Sequence, residues 1–242
     1  MDRFLFTFFN GEVMWEYLPK ILSGMWVTTY LAAFVIVTGL ALGLLLALLR
    51  SILSQKLPAP LSWLAETLRL LIIFFVDLMR SVPPLVLIVL FFYGLPALGL
   101  DIAGLGATWL ALSLVLAAFA EEIYWAGLVS VAKGQWEAAR STGLGFLQTL
   151  LYVILPQAIR RVLPPLGNQF VYMLKASSLL SVIGLTELTR RANELVVTEY
   201  RPLEIYTFLV LEYLVLILVA SWLVRRLERR MAASDRLRAA KA

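Results

Sequence analysis

Apolar residues in this chain come in long runs rather than in alternating patterns. Five runs dominate, at about residues 19–49, 61–95, 107–131, 163–185 and 205–224. Each reaches the roughly 20 residues that an α-helix needs to cross a bilayer. Backbone groups in hydrocarbon must be satisfied within their own segment, so such runs predict helices. The first run is long for one crossing and is entered through Trp15 and Tyr17, residue types that suit a membrane interface. The second is broken at Ser81-Val82-Pro83-Pro84, where proline removes amide donors. Polar links separate the runs. Residues 50–60 carry Lys56 and two prolines, and a short loop holds Gly99, Asp101, Gly104 and Gly106. Residues 132–161 form a longer polar loop, and charged residues 186–204 are expected outside the membrane core. The expected fold is an all-α membrane protein of about five transmembrane helices, one domain over residues 1–242.

Composition agrees, at 61% hydrophobic residues and a mean hydropathy of +0.86. Soluble domains run nearer half apolar. Charge then sets an orientation. Residues 50–60, 132–161 and the tail from Arg225 hold thirteen of the twenty-one Lys and Arg residues. With five spans all three lie on one side, and basic loops stay cytoplasmic. The N-terminus is therefore expected outside and the C-terminus inside. The net charge of +5 follows from this topology and does not imply nucleic acid. The first twenty residues have no basic start or small-residue cleavage site and do not resemble a signal peptide. With no Cys and no His, disulfides, thiolate chemistry, histidine bases and metal sites built on those ligands are excluded.

One stretch departs from the apolar theme: KGQWEAARSTGLGFLQTLLYVILP, residues 133–156. Gly134 is expected to end the preceding helix. Residues 135–140 suit a short helix, with Gly143 as its left-handed cap and Glu137 paired to Arg140 at i, i+3. Pro156, with Pro164 and Pro165, is expected to limit helix continuation. The plain alternative is an ordinary surface loop bearing an amphipathic helix.

The spacing Glu137-Ala138-Ala139, Gly143, Val153 and Leu155-Pro156 resembles the cytoplasmic loop of ABC importer membrane subunits. Asp77-Leu78-Met79-Arg80-Ser81-Val82-Pro83, with Tyr93-Gly94-Leu95-Pro96, resembles the permeases of polar amino acid uptake, of the histidine/glutamine/arginine type. Leu166-Gly167-Asn168-Gln169-Phe170 and Ser181-Val182-Ile183-Gly184 with Glu187-Leu188-Thr189-Arg190 do so too. The resemblance covers nearly the whole chain and implies a type I ABC importer transmembrane fold in a bacterial inner membrane. It implies that Glu137, Ala138, Ala139 and Gly143 meet a separate ABC ATPase, which would bind the ATP and Mg. No Gly-Lys dipeptide occurs, so a standard phosphate-binding P-loop is absent from this chain. It further implies a second permease subunit, an extracytoplasmic solute-binding protein, surrounding lipid and a polar amino acid as cargo.

Ionisable residues within spans are costly and are candidates for function. The candidates are Asp77, Arg80, Glu121, Glu122, Lys175 and Glu212. A helix start at Pro83 would present free amides to a carboxylate. Ser81, Val82 and Pro83 with Arg80 therefore form one half of an expected substrate site. Glu122 takes the place of a family glutamate in Ala118-Phe119-Ala120-Glu121-Glu122-Ile123 and is the first choice for the substrate ammonium. Glu121 stands where the family has Ala, Trp125 where it commonly has Arg, and Ala176 where Asp is common. Adjacent helix residues point about 100° apart, so the two glutamates cannot both face one ligand. The alternative is internal pairing: Asp77 with Arg80, or a glutamate with Arg80 or Lys175. An intramembrane acid/base enzyme using Glu121 or Asp77, and a channel, are the competing functions.

Overall fold

The computed structural model describes residues 7–55, 58, 61–100, 102 and 104–239, with side chains as far as residue 231. Lys56 and Asp101 lie outside the described residues. The main helices are α1 (Gly11–Leu53), α2 (Leu61–Ser81), α3 (Pro84–Ala97), α4 (Gly104–Ser130), α5 (Lys133–Ser141), α6 (Leu155–Ala176), α7 (Leu188–Glu199) and α8 (Pro202–Ala239). A single turn at Phe146–Gln148 and a π-helical stretch at Thr149–Ile154 lead into α6, and a 3₁₀ segment at Ser177–Ile183 leaves it.

Among the described residues three helices are long and apolar enough to cross a membrane: α1, α4 and α8 as far as Met231. Counting α2 with α3, and Phe146–Ile183 with α7, as broken spans raises the number to five. All five expected runs are thus helical, with differences at their edges. α1 has 43 residues, about 65 Å at 1.5 Å per residue, roughly twice the hydrocarbon thickness. Pro19 lies inside this helix, where its missing amide costs one i→i−4 hydrogen bond. α4 ends at Ser130, and Gly134 lies inside α5 instead of ending the helix before it. Pro156 does not stop the chain either. The π-helical turn just before it shifts the hydrogen-bond register, and α6 runs on through Pro164 and Pro165. Residues 188–199, expected outside the membrane core, are helical and follow Phe146–Ile183 after a bend of 46°.

The chain divides into two compact units. The first comprises Met1–Ile36, Pro83–Leu112 and Phe170–Trp222. Its core gathers Ile21 of α1, Leu188, Ala192 and Leu195 of α7, and Ile205 and Leu209 of α8. The second comprises Val37–Val82, Ser113–Gln169 and Leu223–Ala242. Its core gathers Ala47, Ala120, Tyr124, Leu128, Leu150 and Ile154. Small residues draw the second unit together. A Cβ on Gly39 would lie 2.8 Å from Leu116, on Gly43 2.7 Å from Ala120, and on Gly127 2.4 Å from Val162. Helices in lipid lack a hydrophobic drive to associate, and such close backbone approach supplies van der Waals contact in its place.

Candidate functional site

α5 is short because its ends are fixed. The chain leaves α4 at Ser130, whose carbonyl and hydroxyl both accept from Arg161 of α6. It re-enters a helix at Lys133 after an extended Ala132. The far end closes on Gly143, which takes the expected left-handed conformation at φ +89° and donates its amide to Arg140 O at 3.0 Å. Ser141 and Thr142 hydroxyls donate to the carbonyls of Ala138 and Ala139 at 2.8 and 2.7 Å, so the last turn carries few orphan acceptors.

One face of α5 is packed down. Trp136 stacks on Phe146, with ring centroids 5.4 Å apart and planes 14° from parallel. Gln157 of α6 donates to Gln135 at 3.2 Å, and Ala139 is buried. The opposite face, with Glu137, Ala138 and Arg140, is exposed. The expected pairing of Glu137 with Arg140 does not form among the described residues. Both side chains instead line a cleft of about 410 Å³ beside Trp125, Trp136 and the end of α1. The two alanines therefore differ: Ala138 is presented outward and Ala139 is a packing residue.

The two glutamates of α4 point to different helices, as their 100° separation requires. Glu121 is fully buried and accepts from Arg50 Nη1 of α1 through both oxygens, at 3.1 and 3.2 Å. The Arg50 guanidinium also lies over Trp125, 4.3 Å from the ring centroid. Glu122 accepts from Arg80 Nη1 of α2 at 2.9 Å. That pair is open, with side chains 36% and 40% exposed, and Arg80 lies 5.7 Å from the Phe119 ring. Of the expected substrate residues, the structure brings Arg80 and Glu122 together and sets Glu121 apart with Arg50. Asp77 is exposed, and Arg80 turns to Glu122 in preference to it.

The helix break after Ser81 is present, with the new helix starting one residue later than expected, at Pro84. It offers fewer amides than an ordinary helix start. Pro83 and Pro84 have none, and the amides of Val86 and Leu87 turn back onto Pro83 O at 2.9 and 3.3 Å. The positive end of a helix dipole remains there.

Two further carboxylates are buried in the first unit. Glu187 caps α7, accepting the amides of Thr189 and Arg190 at 2.9 and 2.6 Å, with Tyr213 Oη 3.4 Å away. The signal for it was an acidic residue directly before a helical run, the pattern of an N-cap. Glu212 on α8 is only 5% exposed, and among the described residues neither of its oxygens has a hydrogen-bond partner. Its heptad-like company of Ile205, Leu209 and Ala220 on the buried face gives no hint of a partner.

Residues 39–233 match the family described as "Binding-protein-dependent transport system inner membrane component". The chain is 34% identical over 225 residues to the probable glutamine ABC transporter permease protein GlnM of Bacillus subtilis, covering 93% of this chain and 99% of that protein. It is equally 34% identical to the glutamine transport system permease protein GlnP of Escherichia coli K12, covering 92% and 98%. A crystal structure of an amino acid ABC transporter with histidines superposes with a TM-score of 0.79 at 35% identity, over 90% of this chain and 97% of the other. The resemblance seen in the Glu-Ala-Ala loop and the Tyr-Gly-Leu-Pro stretch thus extends along the whole fold, and the chain belongs to the family of binding-protein-dependent transport system inner membrane components, the permease subunits of ABC importers, which carry no ATPase site of their own.

Proposed function

We propose that this chain moves a polar amino acid of the glutamine class into the cytoplasm by alternating access. Separate ABC ATPase subunits, holding the ATP and Mg, dock on the exposed face of α5 and drive the motion. The observation that carries this reading is the mounting of α5. Its inner face is pinned by Trp136–Phe146 and Gln135–Gln157, while Glu137 and Ala138 stand free. A helix so held transmits force in place of absorbing it, and its two neighbours α4 and α6 are membrane-length helices joined by Arg161 and the Gly127 contact.

The open Arg80–Glu122 pair supplies complementary charges for a zwitterion. The α-carboxylate of an amino acid replaces Glu122 as the partner of Arg80, and its ammonium replaces Arg80 as the partner of Glu122. Exchange of one pair for two costs little where both side chains are already part-exposed to water. The names of the relatives point to glutamine as the cargo to test first. A second permease subunit completes the pathway, a solute-binding protein delivers from outside, and the basic loops and tail lie on the cytoplasmic side of a bacterial inner membrane.

The test is uptake of labelled glutamine, and of other polar amino acids, into proteoliposomes. These hold the permease with its ATPase inside and the binding protein outside. Uptake that requires ATP supports the reading. Equal flux without ATP makes the chain a channel and overturns it.

A further inference from the structure

The Val37–Leu53 half of α1 and the Ser113–Ser130 half of α4 are joined along a continuous seam. Thr38 and Ser113 hydroxyls share a hydrogen bond of 2.8 Å at one end. Gly39, Gly43 and Ala47 follow at steps of four, with α4 so near that neither glycine has room for a Cβ. Arg50 closes the other end on Glu121 and Trp125. This last contact differs in kind from the Arg80–Glu122 pair one residue along α4. Its carboxylate is fully buried, whereas Arg80 and Glu122 are more than a third exposed. Burial leaves Glu121 no water to turn to when Arg50 moves away, so separation is resisted. Water competes for Arg80 and Glu122, so that pair opens and closes readily.

The two pairs divide the labour. Glu122 ties α4 to α2 reversibly, and Glu121 ties α4 to α1 firmly. α4 in turn leads through Ser130 into α5. We propose that Arg50, Glu121 and Trp125 form a transmission clamp, positioning residues that make the Val37–Leu53 half of α1 follow α4 whenever α5 is displaced. The clamp needs arginine. Only a planar guanidinium can bond a carboxylate at its edge while stacking a face on an indole, and lysine cannot do both. The inference rests on α5 as the ATPase-docking element.

The experiment uses the reconstituted complex of permease, ATPase and binding protein. The double variant Arg50→Gln/Glu121→Gln removes both charges together, so no buried charge is stranded. ATP hydrolysed per amino acid imported is expected to rise about tenfold, the size of an ordinary coupling factor. Spin labels at Ser54→Cys and Ser141→Cys, in a chain with no other cysteine, report the distance from the end of α1 to α5. That distance stays the same with and without nucleotide when the clamp is intact, and changes with nucleotide in the double variant. Trp125→Ala is expected to move both readouts in the same direction, and decides the matter if the double variant does not assemble. Import per ATP within twofold of the unsubstituted complex, with an unchanged distance, overturns the clamp. Failure of the underlying reading looks different: the unsubstituted complex would then show no contact between α5 and the ATPase.

Discussion

Gly43 is the tightest test of how α1 meets α4. A Cβ placed there lies 2.7 Å from Ala120 Cβ, 2.8 Å from Ala117 O and 3.0 Å from Glu121 N. Ordinary contact begins near 3.4 Å. Gly43→Ala must therefore push the two helices apart by several tenths of an ångström, because two of the three obstructing atoms are backbone and cannot rotate away. Overpacking of this kind costs about 1–3 kcal/mol, and alanine returns about 0.5–1 kcal/mol by lowering the entropy of the unfolded chain. The net loss is about 0–2.5 kcal/mol, or up to roughly 10 °C in Tm for a chain of this size. Gly94→Ala is the control. It is also helical, but its nearest neighbour is the flexible end of Leu90 at 3.8 Å. It is expected to be neutral or to raise Tm slightly. The assay is thermal unfolding of the purified chain in detergent, followed by tryptophan fluorescence. A Gly43→Ala protein that melts at or above Gly94→Ala would refute the close seam.

Other substitutions separate the roles of neighbouring residues. Glu122→Gln is expected to raise the substrate concentration for half-maximal uptake, whereas Glu121→Gln alters ATP used per import; identical effects from both would remove Glu122 from the substrate site. Gly143→Pro cannot adopt φ +89° and loses the amide bonded to Arg140, and Glu137→Lys reverses a charge on the exposed face. Each is expected to uncouple ATP hydrolysis from uptake while leaving insertion intact, and normal transport by both would count against docking at α5. Glu212→Leu removes a buried carboxylate that has no hydrogen bond among the described residues, and is expected to leave Tm unchanged or raise it by a few degrees, corresponding to about 1–2 kcal/mol. A marked fall in Tm would mean that Glu212 has a partner in the assembled protein.

Much of this architecture was legible in local pattern. Runs of apolar residues marked the helices because lipid forces backbone bonds inward, and Gly143 announced its left-handed cap. The errors were also local. Gly134 punctuates α5 only weakly, since glycine in a helix costs about 1 kcal/mol while the flanking residues favour it. Pro156 was absorbed by a π-helical turn that periodicity does not reveal. The charged residues were harder. Glu121 and Arg50 are 71 positions apart, and Glu122 and Arg80 are 42 apart. Helical geometry dictated that the glutamates diverge, but only helix packing decides which arginine each meets. Glu187 carries a local signal, its place directly before a helical run, whereas nothing in the local sequence shows that Glu212 is buried without a hydrogen bond among the described residues.

The docking face of α5 can be tested by crosslinking. Ala138→Cys introduces a single thiol on the exposed face of a chain that has none, and Ala139→Cys places one on the packed face of the same helix. In membranes containing the assembled importer, a short bifunctional crosslinker should join Ala138→Cys to an ATPase subunit and leave Ala139→Cys unreacted. Capture of no ATPase from Ala138→Cys, or capture no greater than from a thiol on the exposed apolar flank of α8 at Val210, would contradict the account.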